Sequence, residues 1–421
     1  MTARWLIVAD DLTGAADCAI AFARRGIVSI VGWGDLQESA AGRQAPVFSY
    51  DTNSRGLTAP EAVATHRAAL GRFLDKDSIL FKKIDSTLRG QPAAETVAAI
   101  EALHARSGAA FGILAPAFPA TGRTTEQGRI RVGGRPLEES EVWRRDHSYP
   151  NADLVEILAT VGIVSEKVPL STIRGGVETL RAAFAVLAAR GDIVAVCDAV
   201  TGDDLDRIAE ASLPARPSMF FIGSAGLAHA LAAAAPGERS DPVTSPVTAS
   251  GALVVVGSLA GASRAAARDL AAMPGVRYVP VEPAMLLDDG AATDRAAFGR
   301  TVTDGLDAGC DVLVEILTGG EPDLGIGPRL TKALAEALKP AASHMSGLAA
   351  TGGETAASLL AGIGVNGIRL VDELEPGVSL GLTLGDVSLP VITKAGAFGD
   401  RGSLTRITER LRSIRQKGVL A

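Results

Sequence analysis

Residues Phe81 to Glu95, FKKIDSTLRGQPAAE, read as the end of a buried strand, a short polar loop and the first turn of a helix begun by Pro92. A loop this dense in lysine, aspartate, hydroxyl and arginine has little structural use and much chemical use. In open α/β sheets, ligands sit beyond the carboxyl ends of the strands, where several strand-to-helix turns converge. Lys82 and Lys83 are adjacent, so on an extended strand they point to opposite faces, and the spacing to Asp85, Ser86 and Arg89 favours Lys83 as the one turned toward a site. Gly90 gives the backbone the freedom that a close ligand approach needs. The set suits a small, anionic, hydroxylated molecule; the plain alternative is a surface loop capped by Asp85 or Ser86.

Outward from this loop the same pattern recurs: a short apolar run, a turn rich in Gly, Asp, Ser or Thr, then an Ala/Leu-rich helix. Trp5 to Ala9, Val47 to Tyr50, Ile79 to Lys82, Phe111 to Ala115, Ile193 to Cys197 and Phe220 to Ile222 have the composition of strands buried on both faces. Helix-like stretches lie between them, such as Ala15 to Arg25, stopped by Gly26, and Pro60 to Phe73. This alternation predicts a doubly wound parallel sheet. The stretch PGERSDPVTSPVTASG (Pro236 to Gly251) breaks the rhythm and reads as a linker. After it the alternation restarts with strands at Ala252 to Val256 and Val312 to Ile316 and helices from about Ser263, Leu330 and Thr355. At 421 residues the chain exceeds what one hydrophobic core supports. The expected fold is α/β: two α/β domains, residues 1–238 and 251–421, with mainly parallel sheets and a cleft between them.

Composition narrows the partners. Charged residues make up 21% of the chain, the net charge is −7 and no basic block occurs, so nucleic acid is not expected. An aromatic content of 4% also disfavours a base-stacking surface. Cys18, Cys197 and Cys310 belong to no metal or redox motif, and the five histidines form no ligand pair and read mostly as surface residues. No apolar run is long enough to cross a bilayer, and the run after Met1 is too short for a secretory signal. A soluble cytoplasmic protein without a membrane partner is expected, for which a homodimer is an allowed assembly.

Six further turns carry site signals. Asp10, Asp11 and Thr13 in IVADDLTGAAD follow the first strand; Thr13 can cap the next helix, but capping explains one carboxylate and not two in a row. DTNSRG (Asp51 to Gly56) leaves the second predicted strand and offers Arg55, whose planar fork matches a carboxylate or phosphate. APAFPATGRTTEQGRIRVGGRPLEES (Ala115 to Ser140) supplies Thr121, Arg123, Thr124 and Thr125 after a strand end, then a hairpin bend at Gly133 and Gly134. In the second half, VVVGSLAGAS, TGGETA and KAGAFGD are glycine turns at helix starts, where exposed amides favour anions. Neither GxxxxGK[ST] nor GxGxxG occurs, which argues against a Walker A loop and against a dinucleotide-dependent oxidoreductase. Carboxylates and arginines in one domain and phosphate-type turns in the other are the arrangement of phosphoryl transfer. A non-catalytic sugar-binding protein, the other alternative, has no need of the phosphate-type turns.

DDLTGAAD, TNSR, KKIDSTLRG, APAFPATGRTT with VGGRPLEES, GSAGLA, GGETA and KAGAFG, in this order and across nearly the full chain, resemble the four-carbon acid sugar kinase family. The resemblance implies an ATP- and Mg²⁺-dependent kinase with a sugar-acid site around Asp11, Arg55, Lys83, Asp85 and Arg89. It implies a nucleotide site at Ser258, at Gly352, Gly353, Glu354 and Thr355, and at Gly396. The chain is more similar to the branch that phosphorylates D-threonate or D-erythronate at the 4-hydroxyl than to the 3-oxo-tetronate branch. SLAGAS and KAGAFG depart from the more polar turns usual in the family, which removes hydroxyl and amide groups but keeps the glycine backbone. On this reading Arg55 and Arg89 grip the substrate carboxylate, Asp10, Ser86 and Thr124 complete the acceptor site, Lys83 neutralises developing charge, and Asp11 and Asp85 are rival bases. The metal ligands are not assigned.

Overall fold

The computed structural model describes residues 4–34, 45–146, 149–235, 243–258, 260–317, 326–396 and 398–420. The chain divides into two compact units, Met1–Ser240 and Asp241–Ala421.

The first unit is built on parallel strands β1 (Arg4–Ala9), β2 (Ser29–Trp33), β3 (Val47–Asp51), β4 (Ser78–Lys83) and β5 (Phe111–Ala115). A three-stranded excursion, β6 (Arg123–Glu126), β7 (Arg129–Val132) and β8 (Arg135–Pro136), precedes β9 (Ser165–Val168), β10 (Ile193–Cys197) and β11 (Met219–Gly223). The sheet order is β2-β3-β1-β4-β11-β5-β10-β9, and every pairing in it is parallel. From β1 the chain moves to one side, to β2 and β3, then returns across β1 to β4. The topological switch point therefore lies between β1 and β4, where a doubly wound sheet opens a crevice. Register fixes what meets there: Ala9 faces Asp51, Val8 faces Lys82, and Gly223 faces Lys83.

β2 was not foreseen, so the turn DTNSRG leaves the third strand and not the second. The first helix is Leu12–Ala23, three residues earlier than the apolar periodicity predicts, because Asp11 and not Thr13 is its cap: the Gly14 N–H donates to Asp11 Oδ1 at 3.0 Å. Pro92 opens the helix Pro92–Ser107 as expected, and Gly108 ends it in the left-handed conformation. The predicted bend at Gly133 and Gly134 joins β7 to β8; Gln127 and Gly128, also both at positive φ, join β6 to β7. Trp5 packs against Phe22 and Phe221, with ring centroids 5.0 and 5.8 Å apart, tying β1 to the helix above it and to β11.

The second unit repeats the logic with β12 (Leu253–Val256), β13 (Val276–Val281), β14 (Asp311–Ile316), β15 (Leu348–Thr351), β16 (Val365–Glu375), β17 (Val378–Gly385) and β18 (Pro390–Lys394). The order is β13-β14-β12-β15-β18-β17-β16, parallel from β13 to β18 and antiparallel from β18 through β17 to β16. Its switch point lies between β12 and β15. The helices expected at Ser263, Leu330 and Thr355 are Gly261–Ala271, Gly327–Leu338 and Gly353–Gly362. Part of the predicted linker lies outside the described residues; from Val243 onward it packs with this unit, Val243 in the core and Thr244 bridged to Val419. No helix among the described residues is long and apolar enough to cross a membrane.

Candidate active site

Three turns leave the carboxyl ends of β1, β3 and β4 in the first unit, and their side chains interlock. Arg55 donates from Nε and Nη2 to the two oxygens of Asp10, at 2.8 and 2.9 Å, and from Nη1 and Nη2 to the two oxygens of Asp11, both at 2.8 Å. A single guanidinium thus clamps both consecutive carboxylates in two fork-to-fork contacts. Thr13 Oγ1 donates to Asp11 Oδ2 at 2.6 Å. In the third turn Arg89 makes its own fork to Asp85, at 3.1 and 2.8 Å, and the Thr87 amide and hydroxyl also donate to Asp85. Arg55 reaches within 3.9 Å of Asp85 and joins the two clamps. Leu88, at φ +61°, carries strain inside this loop of the kind that collects at functional sites.

Lys83 lies against the same cluster: a Cβ on Gly14 would stand 2.7 Å from its Nζ and 2.5 Å from Asp11 Oδ1. Burial alone would lower the Lys83 ammonium, but Asp10 and Asp11 outweigh it and hold it above the ordinary lysine range. Burial would likewise raise the carboxyls of Asp10 and Asp85. Arg55 instead brings Asp10 down to about 2, and Arg89 with Arg55 holds Asp85 well below the usual carboxylate range. The carboxylates Asp10, Asp11 and Asp85 are therefore matched against Arg55, Lys83 and Arg89. Asp51, beneath them at the end of β3, is pushed up to about 8 by burial, with the charges of Asp11 and Asp10 adding to the effect.

The fork of Arg55, expected from the sequence to be a substrate anchor, is engaged with Asp10 and Asp11, so it organises carboxylates of the protein itself. Arg89 uses Nε and Nη2 on Asp85, while Nη1 is not among the atoms that reach it. Ser86 is buried in the same loop, and Thr124 is half-buried on β6. Arg123, beside Thr124, donates from Nη1 to the Thr121 carbonyl at 2.8 Å. Burial and the nearby Arg89 lower the Arg123 guanidinium below the ordinary arginine range, against the attraction of Asp85. The hairpin thus brings a further cation to the Asp85 and Arg89 end of the cluster.

The lysine pair divides as the strand alternation requires. Lys82 is 1% exposed and donates to Glu95 Oε2 at 2.7 Å. His66 is fully buried beside Glu95, and His229 is also mostly buried, both held neutral by burial, which corrects the expectation of surface histidines. Neither Glu95 nor His66 carries a signal in the sequence, because each looks like an ordinary polar residue on an amphipathic helix.

In the second unit the glycine turns after β12, β15 and β18 meet. The Ser258 amide donates to Thr351 Oγ1 at 3.4 Å, and the Ala260 amide donates to Ser258 Oγ at 3.2 Å. A Cβ on Gly396 would lie 2.5 Å from Ser258 Oγ, and one on Gly257 would lie 2.0 Å from Thr355 Oγ1, so the turns approach as closely as only glycine allows. Gly352, at φ +91°, is the N-cap of Gly353–Gly362, which leaves the amides at that helix start facing outward. Glu354 turns toward the start of the helix Gly327–Leu338, 3.4 Å from where a Cβ on Gly327 would stand, and burial raises its carboxyl above the ordinary range. Lys394 opens the KAGAFGD turn but is not among the site residues expected from the sequence. It is 1% exposed and donates to Ser263 Oγ at 3.1 Å and to the Ala395 carbonyl at 3.3 Å, and burial lowers it to about 8. It fastens the Gly396 turn from below, as Ser263 Oγ does by donating to the Gly396 carbonyl at 3.3 Å.

Among the described residues no group of three or more His, Cys, Asp or Glu side chains is disposed to hold a metal ion by itself. A Mg²⁺ that travels with a triphosphate needs only one or two protein oxygens, because phosphate and water supply the rest. The exposed Glu354 carboxylate and the Thr355 hydroxyl, adjacent at the helix start, fit that need.

Comparison with known proteins divides the chain at the same place. Residues 5–231 match the model of a sugar-binding N-terminal domain, and residues 253–404 match that of a nucleotide-binding C-terminal domain. The D-threonate kinase of Cupriavidus necator is 43% identical over 407 residues, covering 95% of this chain and 96% of that protein. The D-threonate kinase of Bordetella bronchiseptica is 34% identical, covering 97% and 98%. A solved structure from Salmonella typhimurium, described as a putative tRNA synthase, has a TM-score of 0.77 at 23% identity over 97% of this chain and 99% of that one, a likeness of fold alone. With a sugar-binding N-terminal domain, a nucleotide-binding C-terminal domain and relatives of this identity along nearly its whole length, the chain belongs to the four-carbon acid sugar kinase family.

Proposed function

We propose that this protein transfers the γ-phosphoryl group of ATP to the 4-hydroxyl of D-threonate. The observation that carries the reading is the 43% identity to a D-threonate kinase over 95% of the chain. The charge arrangement adds support from chemistry. Asp10, Asp11 and Asp85 are matched by Arg55, Lys83 and Arg89, and Arg123 adds its positive charge at the Arg89 end, which favours an anionic ligand group such as one carboxylate there. Arg89 and Arg123 are like charges held near each other, and an anion bound between them relieves their repulsion. We therefore assign the carboxylate grip to Arg89 and Arg123, with Ser86 and Thr124 serving the hydroxyls.

Asp11 accepts the proton of the attacking hydroxyl. Asp85 stays tied to the Arg89 fork and to Thr87. Lys83, kept protonated by Asp10 and Asp11, sets a fixed positive charge beside the reacting oxygen, where it stabilises charge that develops during transfer. The amides of Gly353 and Glu354 in the first turn of the helix hold the phosphates, while the Gly352 amide, donating to the Lys394 carbonyl at 2.9 Å, fixes the turn, and the close glycine contacts exclude side chains from that bed. Mg²⁺, held by Glu354 and Thr355, would neutralise phosphate charge. The reaction is assigned to the cytoplasm, which supplies ATP and keeps Cys18, Cys197 and Cys310 as free thiols. Light scattering of the purified chain tests for a homodimer.

The test is ADP release from ATP and Mg²⁺ with D-threonate, D-erythronate and 3-oxo-tetronate, with the product phosphate located by ³¹P and ¹³C NMR. D-Threonate is expected to lead the panel in kcat/KM by about tenfold or more, as a site built to hydrogen-bond one hydroxyl configuration requires. Preference for D-erythronate moves the assignment to that acid, and no ADP release with any four-carbon acid removes it.

A further inference from the structure

Behind the charge cluster lies a second set of polar groups that no solvent, and hence no substrate, can reach. Glu95, 1% exposed on the helix Pro92–Ser107, accepts from Lys82 Nζ at 2.7 Å and from Ser54 Oγ at 2.7 Å. Lys82 Nζ donates a second time, to the Lys83 carbonyl at 2.6 Å. Ser54 Oγ lies 2.9 Å from Thr52 Oγ1, which donates to the Ala9 carbonyl at 2.8 Å. One buried carboxylate thus reaches the ends of β4 and β3, and through the Thr52 hydroxyl the end of β1, the strands whose turns carry Lys83, Arg55 and Asp10 with Asp11.

The cluster is not built for stability. A buried ion pair seldom adds stability over an apolar pair of the same volume. The His66 ring adds a further cost: its Nδ1, 3.2 Å from the Ala62 carbonyl, has to be the donor there, so the neutral ring keeps its lone pair on Nε2. That nitrogen lies 3.7 Å from Glu95 Oε2 and has no hydrogen-bond partner among the described residues. A fold selected for stability alone would fill this space with leucine and methionine.

We propose that Glu95 is the positioning residue of the acceptor site: with Lys82 it fastens Ser54, and through Ser54 it fixes the turn that aims Arg55 at Asp10 and Asp11. This rests on the kinase reading above. It goes beyond that reading by assigning a role in turnover to residues that touch neither ligand.

The test compares stability with kinetics in Glu95→Gln, in the double variant Lys82→Met with Glu95→Leu, and in Ser54→Ala. Glu95→Gln leaves the Lys82 ammonium buried without its counter-ion and is expected to lower both Tm and kcat. The double variant should regain the wild-type Tm, yet keep kcat on D-threonate down by about 100-fold, the scale set by a misplacement of about 1 Å at a reacting centre. KM for ATP should stay unchanged, since the second unit is untouched. Ser54→Ala keeps the ion pair and cuts only the link to the Arg55 turn, so kcat/KM for the acid should fall about tenfold while Tm moves little. A double variant that folds and turns over like wild type overturns the proposal. So does Ser54→Ala with wild-type kinetics, which decides the matter should the double variant not fold. Wild-type turnover in the same series separates the two ideas: an enzyme inactive on every four-carbon acid overturns both, and an active one whose variants are unimpaired overturns only this one.

Discussion

Around Asp10 and Asp11 the cations are matched to carboxylates before any ligand arrives, whereas around Ser258 the lining is hydroxyl and bare backbone. Both sites occupy equivalent places in their sheets, beyond the switch points β1|β4 and β12|β15. The topology is therefore shared and the chemistry is not. A four-carbon acid brings one charge and several hydroxyls whose configuration has to be read, which calls for polar groups held rigidly by one another. A triphosphate brings several charges and its own cation, so what it needs is close approach to oriented amides. On the proposed reading, fixed ion pairs serve the first purpose and glycines the second.

The largest effect that can break this comparison is expected at Arg55. Arg55→Met leaves Asp10 and Asp11 side by side without their clamp, and Asp10 is 2% exposed. Removing one partner from a buried pair costs about 3–5 kcal/mol. Urea denaturation should show a loss on that scale, and kcat/KM for the acid should fall by about 1,000-fold or more as the carboxylates repel each other and take up protons. If Arg55→Met instead keeps wild-type stability, the first site is not locked by charge.

A smaller effect is expected on the other side. In Gly257→Ala the added methyl would stand 2.0 Å from Thr355 Oγ1 and 2.9 Å from its Cβ, so the start of the helix Gly353–Gly362 has to shift. KM for ATP should rise by about 10- to 30-fold while KM for the acid holds, because an anion site made of amides is lost when the helix start moves. An equal rise in both values, measured in the same steady-state series, would mean that the glycine turn does not serve the nucleotide alone.

How much of this was legible in the sequence follows from the same contrast. Strand ends and glycine turns are local features, and DDLTGAAD, KKIDSTLRG and TGGETA can be read without knowing what surrounds them. The alternation of β4 was enough to separate Lys82 from Lys83. Partner choice is not local. Arg55 reads as a ligand anchor until the structure brings Asp10 and Asp11 within 2.9 Å of it, 44 or 45 positions away in the chain. Glu95 passes without a signal and His66 reads as a surface residue, because burial of a helix face by its neighbours leaves no mark on a polar residue. The antiparallel strands β16 and β17 leave no short, uniformly apolar run in the sequence, since they are long and only partly buried.

The finest test sets the two units against each other through pH. Asp51, 3% exposed and pushed up to about 8, favours its protonated form in the folded state. A carboxyl whose folded value lies above its unfolded value contributes stability that is complete below the unfolded value, near 4, and is lost as pH rises toward 8. Lys394 lies at about 8, below its unfolded value, so the second unit gains stability as pH rises from about 8 toward 10. The first unit should therefore weaken across the range from pH 5 to 8, by at most ~1.4 kcal/mol per pH unit for one proton, before the second begins to strengthen. Hydrogen exchange followed by mass spectrometry reads each unit in the intact chain, with β1 and β3 reporting on one and β12 and β15 on the other. Asp51→Asn mimics the protonated carboxyl and should flatten the first slope, and Lys394→Met should flatten the second, each without touching its counterpart. Were Asp51→Asn to follow the wild-type curve, Asp51 would be ionised at neutral pH, and the Arg55 clamp would have to offset a third carboxylate as well as the two it holds.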